Sequence, residues 1–92
     1  MYATLMQITI DPALASAAAA AFTNDILPRV RSARGFVAGY WVDPIDGRSF
    51  GFVLFEEEDQ ARAITPPAMP WSAPGVVITD VAVHRVAVAI PS

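Results

Sequence analysis

His84 is the one histidine of the chain. Histidine alone has an ordinary pKa near neutrality, so it is the first candidate for a general acid or base. Asp80 stands four positions earlier. In an extended segment that spacing puts both side chains on one face. Asp80 could orient the imidazole, or the two could form a solvated polar edge. Arg85 follows His84 directly. Its guanidinium suits a carboxylate or an enolate, and it serves equally as an edge charge that discourages strand-to-strand aggregation. His84 and Arg85 are thus the candidate catalytic residues, and no second metal-ligand type stands near them. The run Glu56 to Asp59 offers four carboxylates, but consecutive residues at a helix start point in different directions, and a solvated cap explains them better.

Several kinds of chemistry are excluded by what is missing. The chain contains no cysteine, hence no disulfide, thiolate nucleophile or zinc–thiolate site. It has six basic residues, all arginine, and nine acids for a net charge of −3, which repels phosphate backbones and argues against a nucleic-acid partner. Nucleotide loops, nucleophile motifs and zinc spacings are absent. Met1 to Met6 lacks the basic start of a signal peptide, and the alanine-rich stretch Ala15 to Ala21 lies between Asp11 and Asp25, too short to span a bilayer. The expected location is the cytoplasm, with no membrane partner.

The elements that must position these residues follow from pattern. Tyr2 to Ile10 carries no charge and reads as a strand. Asp11-Pro12 is an N-cap followed by a proline at the first helical position. Leu14, Ala18, Phe22, Ile26 and Val30 then recur every four residues as one apolar stripe. Pro28 predicts a bend or thinning of the last turns, and Gly35 predicts the stop. Phe36 to Val42 is a second strand, Asp43 to Gly47 has hairpin-turn chemistry, and Ser49 to Phe55 is a third strand. Glu56 to Ile64 is a short helix, in which Glu58 and Arg62 are spaced for an ion pair. Thr65 to Gly75 holds four prolines and cannot be regular. Val76 to Ile90 is a long last strand, bent or bulged near its middle. Residues 1–92 form a single domain in this reading. The order strand–helix–strand–strand–helix–strand predicts an α+β, ferredoxin-like βαββαβ fold, a four-stranded antiparallel sheet with two helices on one face.

Two helices leave one sheet face uncovered. Such a face is normally polar, giving alternation along each strand. Here the first three strands carry no charge at all. Phe36, Ala38 and Tyr40 alternate with Val37, Gly39 and Trp41, and Phe50, Phe52 and Leu54 with Gly51, Val53 and Phe55. Both sets are apolar. Charged residues make up only 16% of the chain. An uncovered apolar face of this extent predicts sheet-to-sheet homodimerisation.

Arg34-Gly35-Phe36-Val37-Ala38-Gly39-Tyr40, then Asp46-Gly47, then Leu54-Phe55-Glu56-Glu57-Glu58-Asp59-Gln60-Ala61 together resemble the dimeric α/β-barrel superfamily, and within it the antibiotic-biosynthesis-monooxygenase-like proteins. The likeness spans most of the chain in order of elements and is specific over residues 34 to 62. It implies a ferredoxin-like subunit whose sheet packs on its twin, with a pocket between sheet and helices. It further implies a homodimer that binds an apolar or aromatic metabolite, with cofactor-independent monooxygenase or isomerase chemistry, or a non-catalytic dimerisation or ligand-sensing module. This chain departs from the family at functional positions. Cofactor-free monooxygenases of the group carry tryptophan where Phe55 stands and asparagine where Gly51 stands. Haem-degrading members carry an asparagine near Met6 or Gln7 and a histidine on the second helix, and residues 56 to 64 contain none. No cofactor or metal is expected.

The resemblance turns Phe36, and with it Tyr40, toward the helices. The expected ligand pocket is Met6, Tyr40, Phe55 and Trp71, with Trp71 as lid or plug of the proline-rich loop. Trp41 falls on the other face and is the expected dimer anchor, with Phe50 and Phe52 beside it. Ala38 and Gly51 leave room on the helix face, for a ligand or for close packing of the alanine-rich first helix.

Overall fold

The computed structural model describes residues 1–65 and 73–90. Four strands, β1 (Tyr2–Ile10), β2 (Phe36–Trp41), β3 (Arg48–Phe55) and β4 (Val76–Arg85), form one antiparallel sheet in the order β2-β3-β1-β4. That order, with helical connections after β1 and β3, is compatible with a ferredoxin-like fold.

The first helical segment is composite. A 3-10 turn (Pro12–Leu14) leads into α1 (Ala15–Ala21), a π-helical turn (Phe22–Ile26) and α2 (Leu27–Arg31). Asp11 caps it as expected, its carboxylate accepting from the Ala13 N–H at 2.9 Å. The widened turn comes just before Pro28. Proline has no N–H to donate back to residue 24 and its ring crowds that carbonyl. The chain instead takes a longer bond, from the Leu27 N–H to the Phe22 carbonyl, and continues as helix. Gly35 ends the segment with φ 77°. The Gln60 side chain lies against its Cα, so any side chain at 35 would collide with it.

The hairpin joining β2 to β3 turns at Asp46-Gly47, both at positive φ, between mutual Ile45 and Arg48 backbone bonds of 2.9 and 3.0 Å. This is the two-residue turn that Asp-Gly favours. The second connection is α3 (Glu58–Ala63), two residues shorter at its start than the acidic run suggests. Glu57 takes the N-cap, and its backbone N–H donates to the Gln60 side chain at 3.0 Å, closing a capping box. Glu58 and Arg62 pair at 2.9 Å.

The core gathers Ile26, Val30, Val53, Phe55, Ala61 and Ile64, so both helices cover the same sheet face. Thr4 is fully buried there. Its hydroxyl donates to the Ala61 carbonyl at 2.9 Å, satisfying a last-turn carbonyl of α3 and tying that helix to the central strand.

Two bulges set the faces. Between Phe36 and Ala38 the pairing with β3 slips by one residue, leaving Val37 extra. Phe36 faces the helices, packing on Phe55 with centroids 6.3 Å apart. Beyond the bulge, Gly39 and Trp41 take that face and Tyr40 takes the other. Strict alternation from Phe36 had assigned Tyr40 to the helix face and Trp41 to the open face, and both assignments are reversed by this one residue. Ala38 likewise moves to the open face. The second slip, between Gln7 and Ile8 of β1, leaves Thr79 extra near the middle of β4, where a bulge was expected. β4 ends at Arg85, and Val86 to Ile90 is not strand.

Candidate ligand cleft

The first helical segment carries different side chains in its two halves. Phe22, Ile26 and Val30 are large and belong to the core or pack against it. Ala15, Ala18 and Ala19 are small. Opposite the small half stand Ile8 and Ile10 at the end of β1 and Ile78 near the start of β4. Alanines facing β-branched residues do not fill the gap, and a cleft of about 460 Å³ remains, within the ordinary size range of small-molecule sites. Close packing of the alanine helix, one of the two readings of its composition, is not what the chain adopts.

Trp41 forms one wall. A Cβ placed on Gly51 would lie 2.5 Å from its Cδ1 and 2.6 Å from its Nε1, and one on Gly39 would lie 2.8 Å from its far ring carbons. The indole therefore lies flat on two glycines of adjacent strands. Phe22 meets it edge-on, with centroids 5.1 Å apart, a favoured aromatic geometry. The room foreseen at Gly51 exists and is occupied by the protein's own tryptophan.

The cleft is apolar apart from one end. Ser49 is buried, and its hydroxyl donates to the Val42 carbonyl at 2.6 Å. Asp43 is exposed and sits at the rim beside Pro44 and Gly47. Ala73, at the described end of the proline-rich loop, also lines the space and packs on the core.

Of the expected pocket residues, Met6 lines the cleft. Tyr40 does not: it is 56% exposed on the open face, stacked on Phe52 at 5.2 Å. Phe55 is fully buried in the core rather than exposed to the cleft. Trp71, with Met69, lies outside the described residues. Of the expected interface residues, Phe50 and Phe52 stand on the open face, half and two-fifths exposed, whereas Trp41 is a cleft wall. His84 pairs with Ala3 on the open face, next to Val83, which packs on the core from the helix side. The sheet therefore separates His84 from the cleft. Asp80 shares its face, opposite Gln7. Arg85 is exposed at the far end of β4, opposite Tyr2. Neither candidate catalytic residue lines the cleft. Among the described residues no three histidine, aspartate or glutamate side chains gather as a metal site, and no helix is long and apolar enough to cross a membrane.

The residues not singled out from sequence are Ile8, Ile10, Phe22, Asp43 and Ile78. Gly39 and Gly51, with an aromatic residue two positions after the first, were the available signal for the Trp41 wall. No family model, curated protein or solved structure matches the chain.

Proposed function

We propose that the chain is a small-molecule-binding protein that takes an apolar or aromatic metabolite between α1 and the sheet, and that it works as a homodimer through its open sheet face. The carrying observation is the cleft of about 460 Å³ walled by Trp41, Met6 and the isoleucines of β1 and β4. An unfilled apolar space of this size is poorly explained as packing, because native interiors close such gaps. The dimer is supported by the open face, where Leu5, Tyr40, Phe50 and Phe52 are all at least two-fifths exposed. This is an apolar surface of the kind that marks association sites. Both features agree with the dimeric α/β-barrel, antibiotic-biosynthesis-monooxygenase-like reading of residues 34 to 62. Within that class, binding or sensing without catalysis is favoured over a monooxygenase or isomerase by one observation: His84 and Arg85 lie away from the cleft.

Titration with the neutral fluorophore N-phenyl-1-naphthylamine tests the cleft. Saturable binding of one probe per protomer is expected, lost in Ala18→Phe and kept in Phe52→Asp. Binding lost only in Phe52→Asp would place the probe on the open face and refute the cleft. Sedimentation at low micromolar concentration tests the assembly, with a dimer expected for the native chain and a monomer for Phe52→Asp. A native monomer would refute the dimer.

A further inference from the structure

The lining of the cleft also bears on the charge of what it holds. Among the described residues, Asp43 is the only ionisable side chain on its wall. Asp46 lines a neighbouring hollow rather than the cleft, and the Asp11 carboxylate is engaged with the Ala13 N–H. The basic residues are elsewhere. Arg29 and Arg31 flank the buried Val30 in α2, in the core-filling half of the helical segment, and do not line the cleft. Arg48 pairs with Thr9, in the register of the opposite face, and meets Asp43 only across a neighbouring hollow that both line. Arg34 is exposed in the turn before β2 and does not line the cleft. Arg62 is engaged with Glu58 on α3, and Arg85 is at the far end of β4. Residues 66–72 contain no ionisable side chain.

An anionic ligand would therefore lose its hydration on entering and meet a carboxylate with no cation on the cleft wall among the described residues. A cation of the same shape would keep its charged head at the rim beside Asp43 and bury its apolar body. Of the other polar side chains on the wall, Ser49 has its hydroxyl proton committed to the Val42 carbonyl, and Trp41 offers only a neutral indole N–H, which lies over Gly51. We propose that the cleft selects ligands with an apolar or aromatic body and a neutral or cationic head, amines above all, and discriminates against carboxylates, with Asp43 as the specificity-determining residue. This inference rests on the cleft being the binding site.

Calorimetric titration with 4-phenylbutylamine, 4-phenylbutanol and 4-phenylbutanoate, which share one apolar body, tests it. The amine is expected to bind tightest and the carboxylate weakest, with an amine-to-carboxylate ratio of roughly tenfold at low salt, as befits a rim charge in high dielectric. In Asp43→Asn the ratio should fall to about twofold or less, with alcohol binding unchanged. Asp43 is exposed, so this substitution is expected to leave the fold intact. Equal binding of all three, tightest binding by the carboxylate, or a ratio that survives Asp43→Asn would overturn the charge selection while leaving the cleft as the site. Failure of all three probes to bind would overturn the site and the inference together.

Discussion

Replacing Ala18 by leucine asks whether the space beneath α1 is empty, and the sign of the answer decides. Ala18 is 3% exposed and lines the cleft. Leucine is nearly as good a helix former as alanine, which leaves the helix itself unperturbed. Three added carbons at about 0.8 kcal/mol each would contribute about 2.4 kcal/mol if fully buried, and ordering the leucine takes back about 0.5–1 kcal/mol. The cleft is open along one side, so a net gain of about 1 kcal/mol is expected, or roughly 4–8 °C in Tm for a domain of this size. Thermal and urea unfolding at one fixed protein concentration would measure it, with the concentration held because association shifts apparent stability. A loss of about 1–3 kcal/mol, the cost of overpacking a filled interior, would show that α1 sits tightly on the sheet and that the cleft reasoning is wrong.

The glycine platform under Trp41 predicts the opposite sign. Gly51→Ala should destabilise by about 1–3 kcal/mol, because the new methyl meets the indole at 2.5 Å. Adding Trp41→Leu should remove most of that penalty, and additive losses in a double-mutant cycle would refute the contact. Thr4→Val should cost about 1–3 kcal/mol in urea unfolding, since it leaves the buried Ala61 carbonyl without its donor. An unchanged midpoint would mean that this bond contributes nothing net.

The order of elements was legible because each is announced locally. Asp11-Pro12 starts a helix, Asp46-Gly47 turns a hairpin and Gly35 stops a segment through the backbone preferences of those residues alone. The Glu58–Arg62 pair followed from spacing in the same way. Which side chain faces the helices was less legible. In β2 the answer depends on a single extra residue, Val37, and nothing in the run Phe36 to Trp41 distinguishes a bulged strand from a regular one, since both faces are apolar. Tyr40 and Trp41 therefore exchanged roles between reading and structure. The cleft was half legible. The alanines and Gly51 signalled room, but small residues permit both closeness and vacancy, and only the three isoleucines and Trp41 across from them decide which. Phe55 was expected at the pocket through its position in the family pattern, yet its parity with Val53 puts it among Ile26, Val30 and Ile64.

Protection of backbone amides from hydrogen exchange should divide along the chain as the packing does. Around Val30, Val53 and Phe55 the amides lie over fully buried side chains, so they exchange only when the whole domain opens. α1 has the cleft beneath it and little to pack against. It is held as helix chiefly by the high intrinsic propensity of alanine, and its amides should exchange through small, frequent local openings. Alanine thus does two things in one stretch: it keeps the wall of the cleft helical without tertiary support, and it keeps that wall loose enough to part. The α1 end of the molecule would thus open locally while the core end stays closed.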